Sequence, residues 1–168
     1  DSRLWTLSPY LCQNSCYMTT WTLKKFDELT PHELYSILQL RSEVFVVEQN
    51  CVYQDMDNKD LYAWHLMGWD SDTPDRKLLA HTRLLPPGIS YPEASIGRVV
   101  SSPSVRAKGI GRELMQKSIE YIYTLYGNGP IRIGAQLYLK TFYSSLGFQP
   151  EGDVYLEDNI QHIIMYLP

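Results

Sequence analysis

The stretch from Ile96 to Arg112 (IGRVVSSPSVRAKGIGR) holds the residue types best suited to gripping an anion. A β-branched run passes through a polar turn into Arg106-x-x-Gly109-x-Gly111. An amphipathic pattern follows at once, with Leu114, Met115, Ser118, Ile119, Ile122 and Leu125 on one face. The first-turn amides of such a helix have no intrahelical acceptor, and the helix dipole adds partial positive charge beside them. Gly109 and Gly111 remove the Cβ atoms that would hold a phosphate off those amides, while Arg106, Lys108 and Arg112 surround the position with cations. This is a cradle for a diphosphate. It is not a Walker loop, because no Gly-Lys-Ser/Thr follows the glycines, and it lacks the third glycine and distal acidic residue of the dinucleotide fingerprint.

Other residues could move protons or bind ions. His65 and His81 fall inside apolar strand patterns, where a histidine is ordinarily hydrogen-bonded within the core, whereas His162 alternates with Ile164 and Tyr166 along one strand face. Arg41 interrupts the apolar stripe Leu34, Ile37, Leu38, Val44 and Phe45 of a helix, and Glu48 follows at the same helical phase. The two charges read either as an ion pair at the core edge or as the lining of a polar cleft. Residues 49–60 contain Asp55, Asp57 and Asp60 without periodicity. Lacking the mid-loop Gly and closing Glu of a calcium loop, they read as an exposed polar segment that could attract a cationic amine. Cys12 and Cys16 have no second Cys or His pair nearby, so no metal site is expected.

These groups need a framework. Residues 20–26 alternate as a weak edge strand, and Thr30-Pro31-His32-Glu33 forms a capping box with proline at the first helical position. Residues 61–69, 77–85 and 94–100 read as strands of an antiparallel meander, the first two joined by the turn-rich Asp70–Asp75. A helix from Gly109 to Tyr126, a strand over 130–136, a short helix over 138–146 and strands near 148–156 and 160–167 complete the chain. The expectation is one α/β (α+β) domain over 18–168, with a mixed sheet and helices on both faces. Residues 1–17 show no periodicity and read as a leader or appended arm outside the core.

At 168 residues the chain can build one well-buried core but is short for two. Fifteen basic against nineteen acidic residues leave a net charge of −4, so neither nucleic acid nor an anionic membrane surface is an expected partner. No apolar run reaches the roughly 18 to 20 residues of a membrane span. Three cysteines, an odd and sparse set, fit the reducing cytoplasm. A C-terminal edge strand, Gln161 to Leu167, would let two copies pair about a two-fold axis, which leaves a homodimer open.

Arg106 to Gly111 resembles the acyl-CoA-binding motif of the GNAT superfamily of N-acetyltransferases, Gln/Arg-x-x-Gly-x-Gly/Ala. Residues 131–136 (IRIGAQ) are similar to that family's fifth strand, and 142–148 (FYSSLGF) to its short helix ending in Tyr-x-x-x-Gly-Phe. More narrowly, residues 40–49 (LRSEVFVVEQ), 53–57 (YQDMD) and 155–158 (YLED) with His162 resemble the ElaA-type branch. The likeness runs from Met18 to the C-terminus.

The resemblance implies a sheet of six or seven strands in which strands four and five are parallel and splay apart to admit the pantetheine arm of acetyl-CoA. It implies that the backbone of Arg98, Val99 and Val100 pairs with pantetheine, and that Arg106, Ala107, Lys108, Gly109, Ile110, Gly111 and Arg112 hold the pyrophosphate. Gln136 would border the cofactor, and Tyr143 would face the thioester sulfur and protonate the leaving thiolate. The expected reaction is direct acetyl transfer from acetyl-CoA, without metal, to a primary amine of a small molecule or peptide in a ternary complex. An alkylammonium of pKa near 10.4 must first lose a proton, so a base is wanted near the cleft. Glu48 and His162 lead a set that also includes His65 and His81. Strand amides can stabilise the oxyanion, a contribution of roughly 3–4 kcal/mol per donor. Two other readings are a non-catalytic acyl-CoA-binding sensor or partner module on the same fold, and a phosphate- or nucleotide-binding domain of other chemistry.

Overall fold

The computed structural model describes residues 19–71 and 76–168. The leader with Cys12 and Cys16, and most of the Asp70–Asp75 turn, lie outside the described residues. Seven strands form one mixed sheet: β1 (Thr19–Lys25), β2 (Trp64–Asp70), β3 (Leu78–Leu85), β4 (Ala94–Ser101), β5 (Ile131–Gln136), β6 (Gln149–Glu157) and β7 (Ile160–Leu167). Their order is β1-β2-β3-β4-β5-β7-β6, with β4 and β5 parallel and every other pair antiparallel. Residues of β3 are buried along its whole length, because helices cover both faces of the sheet centre.

Alternation along the strands divides the core between two helices. Leu66 packs with Leu114 of α2 (Ile110–Tyr126), whose Met115 and Ile122 join Leu84, Ile96, Ile131 and Ile133. Its neighbour Met67 packs instead with Ile37 and Leu40 of α1 (Pro31–Arg41), together with Trp69, Leu78 and Val100. The capping box that starts α1 is present: Glu33 N donates to Thr30 Oγ1 at 3.2 Å and Thr30 N donates to the Glu33 carboxylate at 2.8 Å.

Three expectations need correction. The α1 helix does not continue at the α period, because residues Ser42–Glu48 form a π-helix whose wider turn advances each residue by less than about 100°. Arg41 therefore stays buried while Glu48 rotates out to an exposed position, and Leu40 rather than Leu34 or Leu38 fills the core beside Ile37 and Val44. Strand β7 lies between β5 and β6, so Gln161–Leu167 is no edge and two copies cannot pair along it. The edge is β6, which is exposed and carries Pro150, Glu151, Gly152, Asp153 and Glu157, a composition that resists strand addition. Finally, the expected helix over 138–146 is a 3₁₀ turn, Leu137–Leu139, followed by a short α3 (Lys140–Ser144).

Strand β4 is irregular along both of its edges. Toward β5 the strand pairs at Ala94↔Ile131 and Ser95↔Arg132 and then parts from it. Toward β3 the register passes from Arg83↔Gly97 to His81↔Val100, so Arg98 and Val99 together oppose Thr82 in a β-bulge. Arg98 sits there at φ +50°.

Candidate active site

Where β4 and β5 part, a cleft of about 660 Å³ opens, lined by β4 from Ile96 to Ser101 and by Ile133, Gly134 and Gln136 of β5. The loop before α2, the π-helical segment and α3 supply its other walls. Of the residues expected at the site, Glu48, Arg98, Val99, Val100, Arg106, Ala107, Gly109, Ile110, Gly111, Arg112, Gln136, Tyr143 and His162 all line it. Lys108 does not; its Nζ donates to Ser104 O at 3.1 Å.

One end is cationic. Gly109 is the N-cap of α2 at φ +86°, the left-handed region that favours glycine, and no side chain among the described residues caps it. Gly111 does a different job. A Cβ there would meet no described atom within 4 Å, so its missing side chain widens the cleft rather than relieving a clash. Arg112 Nη2 donates to Ser145 Oγ at 2.6 Å, fastening the helix start to the end of α3. Arg106 reaches across to Glu48 in a two-bond fork, Nη1 to Oε1 at 2.6 Å and Nη2 to Oε2 at 2.8 Å, and this contact holds the Glu48 carboxyl below its ordinary value.

Beneath the bulge lies an ionic cluster. Arg41 donates through Nε to Asp55 at 2.7 Å and through Nη1 to Asp60 at 2.8 Å; Arg83 forks onto Asp57 at 2.6 and 2.9 Å; Arg98 Nε donates to Asp55 at 2.7 Å. Burial pushes Asp57 up, but the Arg83 hydrogen bonds outweigh it and bring the group down to about 2. Asp55 and Asp60 are buried and paired with arginines, so these carboxylates are not free to attract an amine, although Val52, Gln54, Met56 and Asn58 between and beside them are exposed as expected; Arg41 pairs with them instead of with Glu48. A signal for this was present: an arginine in a core slot of α1 requires buried counterions, and an acid-rich segment follows one short span later. His65 and His81 also sit here, fully buried, with His65 Nδ1 3.1 Å from His81 Nε2. Desolvation keeps both neutral, and neither lines the cleft, which removes them from the set of bases.

The cleft also holds the candidates for proton transfer. Tyr143 is buried against the edges of Phe142 and Phe148 yet borders the cleft, and burial pushes its hydroxyl well above the usual value, so it stays protonated. His162 pairs across the sheet with Gln136 and stacks on Tyr155 at 5.7 Å. Its Nδ1 is 2.9 Å from Ile160 O, and since a carbonyl only accepts, Nδ1 carries the hydrogen, which leaves Nε2 as the ring nitrogen that could accept a proton. Gln136 exchanges amide hydrogen bonds with Gln49 at 3.2 and 3.3 Å. Gln49, Tyr53, Glu157 and Asp158 also line the cleft; their places depend on the π-helical turn and the β6–β7 hairpin, which local pattern does not reveal. Among the described residues no group of three or more His, Cys, Asp or Glu side chains is placed to hold a metal ion. No helix among them is long and apolar enough to cross a membrane.

Residues 79–167 match the acetyltransferase (GNAT) domain family. Protein ElaA of Escherichia coli K12 is 41% identical over 150 residues, covering 88% of this chain and 95% of ElaA. The crystal structure of E. coli ElaA superposes with a TM-score of 0.82 at 40% identity, over 90% of this chain and 100% of that one. An acyl-CoA N-acyltransferase from Pseudomonas aeruginosa gives 0.82 at 43% identity over 89% and 99%. The fold alone is shared with an aminoglycoside 6′-N-acetyltransferase solved with coenzyme A, at a TM-score of 0.62 and 18% identity over 86% and 95%. With a cleft between parted parallel strands, an open helix start beside it and relatives this similar over most of its length, the chain belongs to the GNAT acetyltransferase family and is an acyltransferase of that fold.

Proposed function

We propose that this protein transfers the acetyl group of acetyl-CoA to a primary amine of a small molecule or peptide by direct attack within a ternary complex. The observation that carries the reading is the parting of β4 from β5 directly beside the uncapped, glycine-opened start of α2. A slot for an extended thioester arm and a site for its diphosphate thus share one cleft. A solved structure of the same fold, the aminoglycoside acetyltransferase, is complexed with coenzyme A.

In this reading the bound cosubstrate supplies an acyl carbon open to attack by a neutral amine. The amides of Ile110 and Gly111, with Arg112 and Arg106, would hold the diphosphate, and the β4 backbone from Arg98 to Val100 would pair with the pantetheine arm. His162 Nε2 takes the proton from the incoming amine. Glu48 is the second acceptor at this cleft, but the Arg106 fork lowers its basicity. As the nitrogen–carbon bond forms and the carbon–sulfur bond breaks, Tyr143 gives its proton to the departing sulfur.

The test is release of CoA thiol from acetyl-CoA across a panel of primary amines, with titration of CoA alone alongside. Turnover on at least one amine together with saturable CoA binding is expected. Absence of both sinks the reading, and binding without turnover on any amine would leave the protein an acyl-CoA sensor.

A further inference from the structure

The β4 bulge poses a problem that its own sequence does not solve. A bulge residue at positive φ is commonly glycine, and Gly97 lies next door, yet the left-handed position is occupied by Arg98. A side chain in that conformation persists only where its surroundings over-determine it. What grips the Arg98 side chain is chiefly Asp55, with Asp57 Oδ2 more distant at 3.5 Å from Nη2. Arg98 Nε donates to Asp55 Oδ1 at 2.7 Å and Nη2 donates to Asp55 O at 2.9 Å, so one guanidinium grips both the side chain and the backbone of one residue.

Asp55 is itself immobilised. Arg41, fully buried in α1, donates to its Oδ2 at 2.7 Å and to its carbonyl at 3.3 Å, and the Tyr53 hydroxyl donates to Oδ1 at 3.1 Å. A rigid chain of contacts therefore runs from α1 through Asp55 to the one strained residue of β4. If the bulge relaxed into a regular ladder, the strand beyond it would slip by one residue and exchange the faces of Val99 and Val100. The extra residue left unpaired against β3 would vanish, and with it the form of the wall that β4 presents to the cleft.

We infer that Arg98 and Asp55 are positioning residues: their clamp holds the β4 bulge in the shape that accepts acetyl-CoA, acting on the cosubstrate through the backbone. This rests on the reading of the cleft given under Proposed function. Neither composition nor motif assigns these side chains such a part, since the motif resemblance engages only the backbone at Arg98.

Arg98→Ala and Arg98→Gly separate the backbone from the side chain. Both variants lose the guanidinium and leave Asp55 equally short of donors, so they differ in what matters here, the tolerance of residue 98 for positive φ. The measurements are calorimetric titration with CoA and steady-state KM for acetyl-CoA and for an amine that the wild type accepts. Arg98→Ala is expected to weaken CoA binding by about tenfold or more, and Arg98→Gly to recover to within about threefold of the wild type. The change should appear in KM for acetyl-CoA and leave KM for the amine within about twofold. Equal CoA affinities for the Ala and Gly variants, with the wild type binding normally, would overturn the inference alone. A wild type that binds no CoA would overturn the parent reading and this inference with it. If Arg98→Ala fails to fold, Arg98→Lys replaces it: lysine keeps the charge but not the fork, and CoA affinity equal to the wild type in that variant would refute the clamp.

Discussion

In the proposed reading, Arg106 serves two anions with a single guanidinium. Its fork is already engaged by Glu48, so a diphosphate arriving at the start of α2 competes with a carboxylate for the same donors. The side chains of the pair are 43% and 40% exposed, and an ion pair of that kind contributes only about 0–1 kcal/mol, which a more highly charged phosphate can displace. Glu48→Gln removes the competitor. It should tighten CoA binding about two- to fivefold at low ionic strength, with the gain fading toward 0.5 M salt as screening shortens, measured by calorimetric titration. Unaltered affinity would show that Glu48 does not compete with the diphosphate for Arg106. Tyr143 permits a cleaner excision, because phenylalanine preserves its packing on Phe142 and Phe148. A thiol of pKa near 8.5 leaves partly unaided, so the acid's share belongs at the modest end of general catalysis. Tyr143→Phe is expected to lower kcat by about 10- to 100-fold with CoA affinity within about twofold, and a variant turning over at the wild-type rate would remove the acid role.

At the scale of elements, the two glycines of the α2 loop separate conformation from access. Gly109→Ala places a side chain at φ +86° and should cost about 1 kcal/mol or more of stability. Gly111→Ala puts a methyl into open space inside a helix, where alanine is favoured over glycine by about 0.5–1 kcal/mol. Its melting temperature should therefore hold or rise while CoA binding weakens by about tenfold, both read on the same sample; normal binding would exclude the helix start from the site. These elements were legible because their cues are local: the Thr30–Glu33 capping box, the stripe of α2 and the Arg-x-x-Gly-x-Gly loop each lie within a few turns of chain. What was hidden depends on distant partners. Arg41 and Glu48 keep step only at the α period, and no residue type in Ser42–Glu48 announces the π turn that separates them. Burial of Asp55 and Asp60 is set by arginines arriving from α1, β3 and β4, and the place of β7 inside the sheet is decided by which strand β6 pairs with. The bulge escaped notice because its strained residue is an arginine.

For the molecule as a whole, the buried cluster under α1 ties stability to pH in two windows of the same sign. His65 and His81 have folded pKa values below the unfolded 6.5, because desolvation penalises their charged forms. Once the pH falls below about 6.5, the unfolded chain takes up protons that the folded chain refuses, so stability declines, by up to about 1.4 kcal/mol per histidine per pH unit. Asp57 acts lower down. Burial raises it, Arg83 lowers it further, and the net folded value of about 2 stands against an unfolded 3.8. Its contribution is complete above the unfolded value and is lost as the pH falls from 3.8 toward 2; for this partly exposed carboxylate, with screening discounted, it amounts to about 1 kcal/mol. The melting temperature should thus drop between pH 7 and 5, where carboxylate titration is only beginning, and drop more steeply below pH 4. Asp57→Asn should flatten only the lower limb. His81→Gln should lower stability at pH 7 but reduce the slope between 7 and 5. A wild-type melting temperature that stays level from pH 7 to 5 would mean that the histidine pair is not held neutral, and the packing of the cluster against β2 and β3 would have to be redrawn.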